Sequence, residues 1–352
     1  MGTTEMTDKM AERSFKKLTL RETADRLTAA DNILILCHTN PDGDAIGSAS
    51  ALCELMRSMG KTVTVAAPSA VPKRLSILMG NDTFLFDGND PFDTLVTVDT
   101  ASPIQLGELS YLTERTDLMI DHHSSGTPYA DALIVPDAAA CGEIIFDLAK
   151  MLERDGAAFF SGSVARALYG AVTSDTGSFK FSNTTPKTFT VASELLRIIS
   201  DTDGMAADEI SRLLHDTVTE SDMAADALVA SKAELFENGS LCGVLLTADE
   251  ITSKGLKNED LGGAVDVPRK LENVLVAFVL RQDPENRERF KLSSRANCPI
   301  DVSAVCAAFG GGGHQRAAGA TLTASSPNDA YLAAVSAFSK AVAEYKTERM
   351  PK

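Results

Sequence analysis

Three short apolar runs in this chain each stop on a carboxylate or an imidazole. "ILILC" at 33–37 leads into His38, "TLVTV" at 94–98 into Asp99, and "DLMI" at 117–120 into Asp121, His122 and His123. Runs of this length, rich in Ile, Leu and Val, suit buried strands. Helical patterns lie among them. After the first run, "AIGSASALCELMRSMG" sets Ile46, Ala49, Leu52, Cys53, Met56 and Met59 on one face, with Gly60 as C-cap. "KTVTVAAP" reads as another strand, and "GEIIFDLAKMLERDG" and "VARALYGAV" as helices. Thr19 and Glu22 have capping-box spacing, which predicts a helix over 20–29. Strands alternating with helices dictate an α/β fold with a mostly parallel sheet. The carboxyl ends of parallel strands share one edge, where ligands bind, so the three endings can converge.

The pattern restarts further on. A chain of 352 residues has room for two cores. The reading is an N-terminal, mostly parallel-sheet domain over 1–190, a helical connector over 191–232, and a smaller C-terminal α/β domain over 233–352, with a cleft between the two domains. The last domain carries strands "LCGVLLT", "NVLVAFVLRQ" and "RFKLSSR", helix "DVSAVCAAF" and the glycine loop "GGGGHQRAAGA". No apolar run approaches the roughly 18 residues of a membrane span. The first residues lack the apolar core of a secretory signal. Six scattered cysteines without a C-x-x-C pair suit reduced core thiols, so a soluble, cytoplasmic protein is expected. A net charge of −16 excludes a long electrostatic track for duplex DNA and leaves short anionic substrates open.

The clusters supply the chemistry. His38, Asp42 and Asp44 follow the first strand, Asp99 the second, and Asp121-His122-His123 the third; Asp175 in "TSDTGSF" could approach from a loop after a helix over 164–173. Taken singly, each has an ordinary explanation, since Asp in "PDGD" or "SDTG" also caps helices and turns. Taken together, so many carboxylates would repel one another without cations. Oxygen ligands with one or two imidazoles suit Mn²⁺ or Mg²⁺, or less selectively Fe²⁺ or Co²⁺. Two such ions sharing a carboxylate would activate water for attack on phosphorus. Four of the five histidines fall in clusters with other site-type residues, and His215 in "SRLLHDT" reads as an ordinary helix-surface residue. Gly311, Gly312 and Gly313, followed by His314, could form a flexible linker or an anion nest. Arg295 could pair on the surface or grip a phosphate bidentately.

With these motifs in view, the sequence resembles the DHH phosphoesterase superfamily over nearly its whole length. The ordered set is "HTNPDGD", "VDT", "DHH" and "SDTGSF", then "GGGGHQRAAG" of the DHH-associated domain. It is most similar to the stand-alone nano-RNase type, which degrades short oligoribonucleotides and removes the 3′-phosphate of adenosine 3′,5′-bisphosphate. The resemblance implies one Mn²⁺ on His38, Asp42 and Asp99, and another on Asp44, Asp99, His122 and Asp175, with Asp99 bridging. It further implies His123 facing the scissile phosphate, Asp121 steadying a motif histidine, and Arg295 with Gly311–Gly313 and His314 on the nucleotide. Short oligoribonucleotides or small nucleotides are the expected partners, with neither duplex DNA nor a membrane, and a homodimer is left open. The alternatives are a cyclic di-AMP or pApA phosphodiesterase and a non-catalytic nucleotide sensor.

Overall fold

The structure, a computed structural model, describes residues 14–349 apart from 89, 90, 125 and 203, and without the side chains of Glu259, His314 and Arg349. The chain divides into two compact units, Met1–Thr217 and Val218–Lys352. In chain order the first unit holds α1 (Leu20–Ala29), β1 (Asn32–Leu36), α2 (Gly43–Ser58), β2 (Thr62–Ala66), β3 (Thr94–Val98), β4 (Leu118–Asp121), β5 (Asp131–Ile134), α3 (Cys141–Arg154), α4 (Gly162–Asp175) and α5 (Pro186–Thr202). The capping box is formed: the Glu22 amide donates to Thr19 Oγ1 at 3.2 Å and the Thr19 amide to Glu22 Oε2 at 2.8 Å.

All five strands are parallel, in the order β2-β1-β3-β4-β5. The apolar runs are continuous because both sheet faces are covered. Ile33 and Ile35 face the larger core with α2, α3 and α4, whereas Leu34 and Leu36 face a second core with Leu106 and Leu112 from the helical stretch Pro103–Arg115. The chain leaves β1 towards β2 on one side and returns to β3 on the other. That reversal opens a crevice at the carboxyl ends of β1 and β3.

Two expectations change in detail. The helix read as one-faced, α2, is buried throughout Gly43–Cys53, because α4 packs on it from outside the sheet. The helix expected over 164–173 runs to Asp175, so Asp175 ends a helix instead of lying on a loop.

The segment expected as a connector, 191–232, divides between the units. Val191, Leu195, Ile198 and Ile199 of α5, and Leu214 of the π turn Arg212–Asp216, join the first core. His215 is half-buried in that turn, not on a helix surface, and burial pushes its pKa down. Ala225, Leu228 and Val229 of α6 (Glu220–Ser231) belong to the second unit's core.

The second unit continues with β6 (Ala233–Phe236), β7 (Leu241–Leu246), α7 (Ala248–Ser253), β8 (Val276–Gln282), β9 (Arg289–Ala296), α8 (Val302–Ala307), β10 (Gly312–His314), β11 (Ala317–Thr323) and α9 (Pro327–Arg349). Its mixed sheet has the order β10-β11-β9-β8-β7-β6, in which β7 and β8 pair in parallel and the other pairs are antiparallel. Phe338 and Val342 of α9 cover one face, with Phe278 and Leu292, and Leu228 and Ile251 cover the other. Among the described residues, no helix is long and apolar enough to cross a membrane.

Candidate metal centre

Each strand end delivers its residues to the crevice by a different local device. His38 follows β1, and Asp42 caps α2, its Oδ1 accepting from the amides of Asp44 and Ala45 at 3.0 Å each. Asp44 therefore sits in the first turn of α2, 1% exposed. Asp99 leaves β3 with φ +52°, a left-handed conformation that costs a non-glycine residue about 1 kcal/mol or more and recurs at functional sites. Its amide still donates to Ile120 O at 3.0 Å, which anchors it to β4. Asp121 closes β4, and His122 and His123 follow it.

Six side chains from these elements and α4 meet. His38 Nε2 lies 3.5 Å from Asp99 Oδ2 and 3.8 Å from Asp42 Oδ1. His122 Nε2 lies 3.5 Å from Asp99 Oδ1, 3.7 Å from Asp175 Oδ2 and 3.8 Å from Asp44 Oδ2. These are long for hydrogen bonds. Ligands about 2.1 Å from one cation stand about 3–3.5 Å apart, which these distances approach. Three groups, His38-Asp42-Asp99, Asp44-His122-Asp175 and Asp99-His122-His123, each bring one ligand atom per residue within 4.8 Å of one another.

The hydrogen bonds around the rings sort the two nitrogens of each. His38 Nδ1 meets Thr39 O at 2.9 Å and His122 Nδ1 meets Ala138 O at 3.2 Å, so both rings carry a proton at Nδ1 and turn Nε2 to the carboxylates. His123 is held differently: Nδ1 donates to Asp121 Oδ1 at 2.7 Å, and the same oxygen accepts the His122 amide at 2.9 Å.

The donor set fits divalent cations. Asp99 is 2% exposed, and its Oδ1 has no hydrogen-bond donor among the described residues. A buried, unmatched carboxylate oxygen is costly unless a cation takes it. Burial opposes charge on Asp99, yet the His122 and His38 imidazoles hold it below the ordinary carboxylate range. Burial likewise opposes protonation of His38 and His122, but the facing carboxylates, Asp42 and Asp99 for His38 and Asp99, Asp44 and Asp175 for His122, raise them to about 11 and about 10. Asp175 is pushed up to about 6, chiefly by burial. Without a cation, protons take the place of metal charge, and cation binding would release them.

In the second unit the last two glycines of the stretch, Gly312 and Gly313, open the edge strand β10 instead of continuing a loop. A Cβ on Gly311 would stand 2.1 Å from Gly319 O, and one on Gly313, at φ +145°, 2.5 Å from Ala317 O. Close approach to β11 therefore accounts for both residues, while Gly312 has nothing within 4 Å on that side. The backbone of His314 ends this strand, and its side chain lies outside the described residues. Arg295 on β9 donates to Ser294 O at 3.0 Å, and burial pushes its pKa down.

Comparison with known proteins places the chain. The model of the DHH family N-terminal domain matches residues 32–172, and that of the DHHA1 domain matches 241–344. The bifunctional oligoribonuclease and PAP phosphatase NrnA of Thermus thermophilus is 30% identical over 321 residues, covering 89% of this chain and 91% of that protein. The chain belongs to the DHH family. A probable bifunctional oligoribonuclease and PAP phosphatase NrnA of Streptococcus mutans is 29% identical over 296 residues, covering 84% of this DHH chain and 91% of the relative. The crystal structure of an exopolyphosphatase-related protein from Bacteroides fragilis superposes with a TM-score of 0.81 at 26% identity, covering 93% of this chain and 96% of that one.

Sequence reasoning missed the groups that hold the candidate ligands from behind. Asp44 Oδ2 accepts the Cys141 amide at 2.6 Å, and its Oδ1 accepts the Gly142 amide and the Ser48 hydroxyl, each at 2.9 Å. Asn183 Nδ2 donates to Asp175 Oδ2 at 3.3 Å. Backbone amides leave no residue-type signal, and "SNTTP" reads as an ordinary helix start.

Proposed function

We propose that this chain is a metal-dependent phosphoesterase that hydrolyses short oligoribonucleotides and the 3′-phosphate of adenosine 3′,5′-bisphosphate. The observation that carries this reading is the convergence of two three-residue ligand groups, His38-Asp42-Asp99 and Asp44-His122-Asp175, around the buried Asp99. The names of the Thermus and Streptococcus relatives support the substrate class. A net charge of −16 also favours small nucleotides over a long backbone.

His38, Asp42 and Asp99 would hold one cation, and Asp44, Asp99, His122 and Asp175 a second, with Mn²⁺ the proposed metal. Bound cations supply Lewis acidity at the phosphoryl group and lower the pKa of water. His123 has a separate task. Burial opposes its protonation, but the hydrogen bond and charge of Asp121, with the charge of Asp99, raise its pKa above the ordinary imidazole value. Asp121 fixes the ring, so Nε2 would orient a phosphoryl oxygen and return a proton to the leaving oxygen. Arg295, Gly311–Gly313 and His314 would take the phosphate or nucleotide end of the substrate. Arg295 is largely buried on β9, and a guanidinium can grip a phosphate with two parallel hydrogen bonds.

The test is a panel of di- to pentaribonucleotides, adenosine 3′,5′-bisphosphate, cyclic di-AMP and pApA, assayed with metal-depleted and Mn²⁺-reconstituted protein. Highest kcat/KM on the short RNAs and the bisphosphate, restored only by metal, is expected. Full turnover by depleted protein would sink the reading, and a preference for cyclic di-AMP would redirect it. In the same assay, Asp121→Asn is expected to lower kcat by about 10–100-fold while leaving metal content unchanged, because asparagine removes the charge that holds the His123 ring and keeps an oxygen for the His122 amide. Loss of bound metal in this variant would show that Asp121 serves the cations instead.

A further inference from the structure

We propose that Asn183 is a positioning residue which, together with the segment 138–142, holds the three ligands that one cation position does not share, Asp44, His122 and Asp175, and holds none of His38, Asp42 and Asp99. The inference rests on the metal-dependent reading above. Four contacts run from this five-residue segment, three of them to the ligands His122 and Asp44 and the fourth to Asn183, which carries it on to Asp175. Ala138 O accepts from His122 Nδ1 at 3.2 Å. The amides of Cys141 and Gly142, at the start of α3, donate to Asp44 Oδ2 and Oδ1 at 2.6 and 2.9 Å. Ala139 O accepts from Asn183 Nδ2 at 2.9 Å, and the same nitrogen reaches Asp175 O at 3.1 Å and Asp175 Oδ2 at 3.3 Å.

Asn183 is thus the link by which Asp175 joins the other two ligands. Asp175 needs such a link more than they do. It ends α4, where unpaired carbonyls disfavour a carboxylate, and no helix amide is available to turn its oxygens inward. The orientation of the Asn183 amide is determined by its surroundings, since three oxygens face the nitrogen and inversion would set Oδ1 against all three. The other ligand group is held elsewhere: His38 by Thr39 O, Asp42 by the amides of α2, and Asp99 by its left-handed backbone. Damage at Asn183 should therefore reach one cation and spare its neighbour.

The experiment titrates metal-free protein with Mn²⁺ alone and reads free Mn²⁺ by electron paramagnetic resonance. Wild-type protein is expected to show two binding steps. Asn183→Leu, close in volume but without a donor, and Asn183→Ala are each expected to weaken one step by about 10–100-fold and leave the other within about twofold. Two unchanged steps, or an equal loss at both, would overturn the proposal while leaving the metal-dependent function standing. Wild-type protein that takes up no cation would overturn that function and this inference with it. Failure of both variants to fold without metal, where the wild type folds, would show Asn183 to be structural and overturn its positioning role.

Discussion

Asp99→Asn is expected to lower kcat on short oligoribonucleotides by at least about a thousandfold, equivalent to about 4 kcal/mol of lost transition-state stabilisation. The size follows from where this carboxylate sits. Among the described residues it is the one acid within reach of both His38 and His122, at 3.5 Å from each, and it belongs to two of the three candidate ligand groups. Every other acid in the crevice has a second occupation: Asp42 caps a helix, Asp44 accepts two amides and a hydroxyl, and Asp175 is tied to Asn183. Asp99 Oδ1 has none among the described residues. Asparagine is the informative replacement because it tolerates the φ of +52° that alanine would hold only with strain. Folding should then be preserved, while the negative charge that would draw the proposed cations is gone. Thermal unfolding of the metal-free variant should match the wild type or exceed it, since a buried charge has been removed. Steady-state hydrolysis at saturating Mn²⁺, alongside metal content, gives the measurement. A rate within tenfold of the wild type would mean that Asp99 bridges nothing.

How much of this was legible before any coordinates depends on which atoms carry the information. His38, Asp42, Asp44, Asp99, Asp121, His122 and His123 were legible because parallel strands place their carboxyl ends together, and a ligand-type residue after an apolar run is visible in the letters. The capping box at Thr19 and Glu22 was legible for the same kind of reason, a side chain acting three residues away. Asp175 reads as a loop residue because helix α4 carries polar Thr173 and Ser174 in the last turn, which reads as an ending. The glycines at 311–313 were read through conformational freedom, whereas the strand pairing of β10 with β11 depends on residues that only the folded register brings opposite. The amides of Cys141 and Gly142 could not be found at all, since every residue but proline has one. One available signal was overlooked: "AAACG" at 138–142 is a run of small residues, as a segment packed against ligands requires.

The same absence of bulk sets the spacing of the ligands, and Gly47 is where it can be tested. A Cβ on Gly47 would stand 2.4 Å from Ala167 O and 2.9 Å from Ala171 Cβ, so α2 and α4 touch through backbone. The contact is extended by Gly43, whose Cβ would meet Ser174 Cβ at 2.6 Å, and by Gly142 of α3, whose Cβ would meet Ala171 Cβ at 2.7 Å. The first turn of α2 carries Asp44, α3 supplies its amides, and the last turn of α4 carries Asp175, so these glycines bring the three helix ends together. Gly47→Val is expected to cost about 3 kcal/mol, the upper part of the range for overpacking, because a carbonyl oxygen cannot rotate away as a side chain would. For a unit of this size that is a fall of about 10 °C in Tm. Metal retention should fall with it, since parting α2 from α4 separates Asp44 from Asp175. Gly263→Ala, where nothing lies within 4 Å, serves as the matched control and should leave both quantities nearly unchanged. A valine variant with wild-type Tm and metal content would show that the helices can part without moving the ligands, and close glycine packing would then not be what fixes the geometry of the centre.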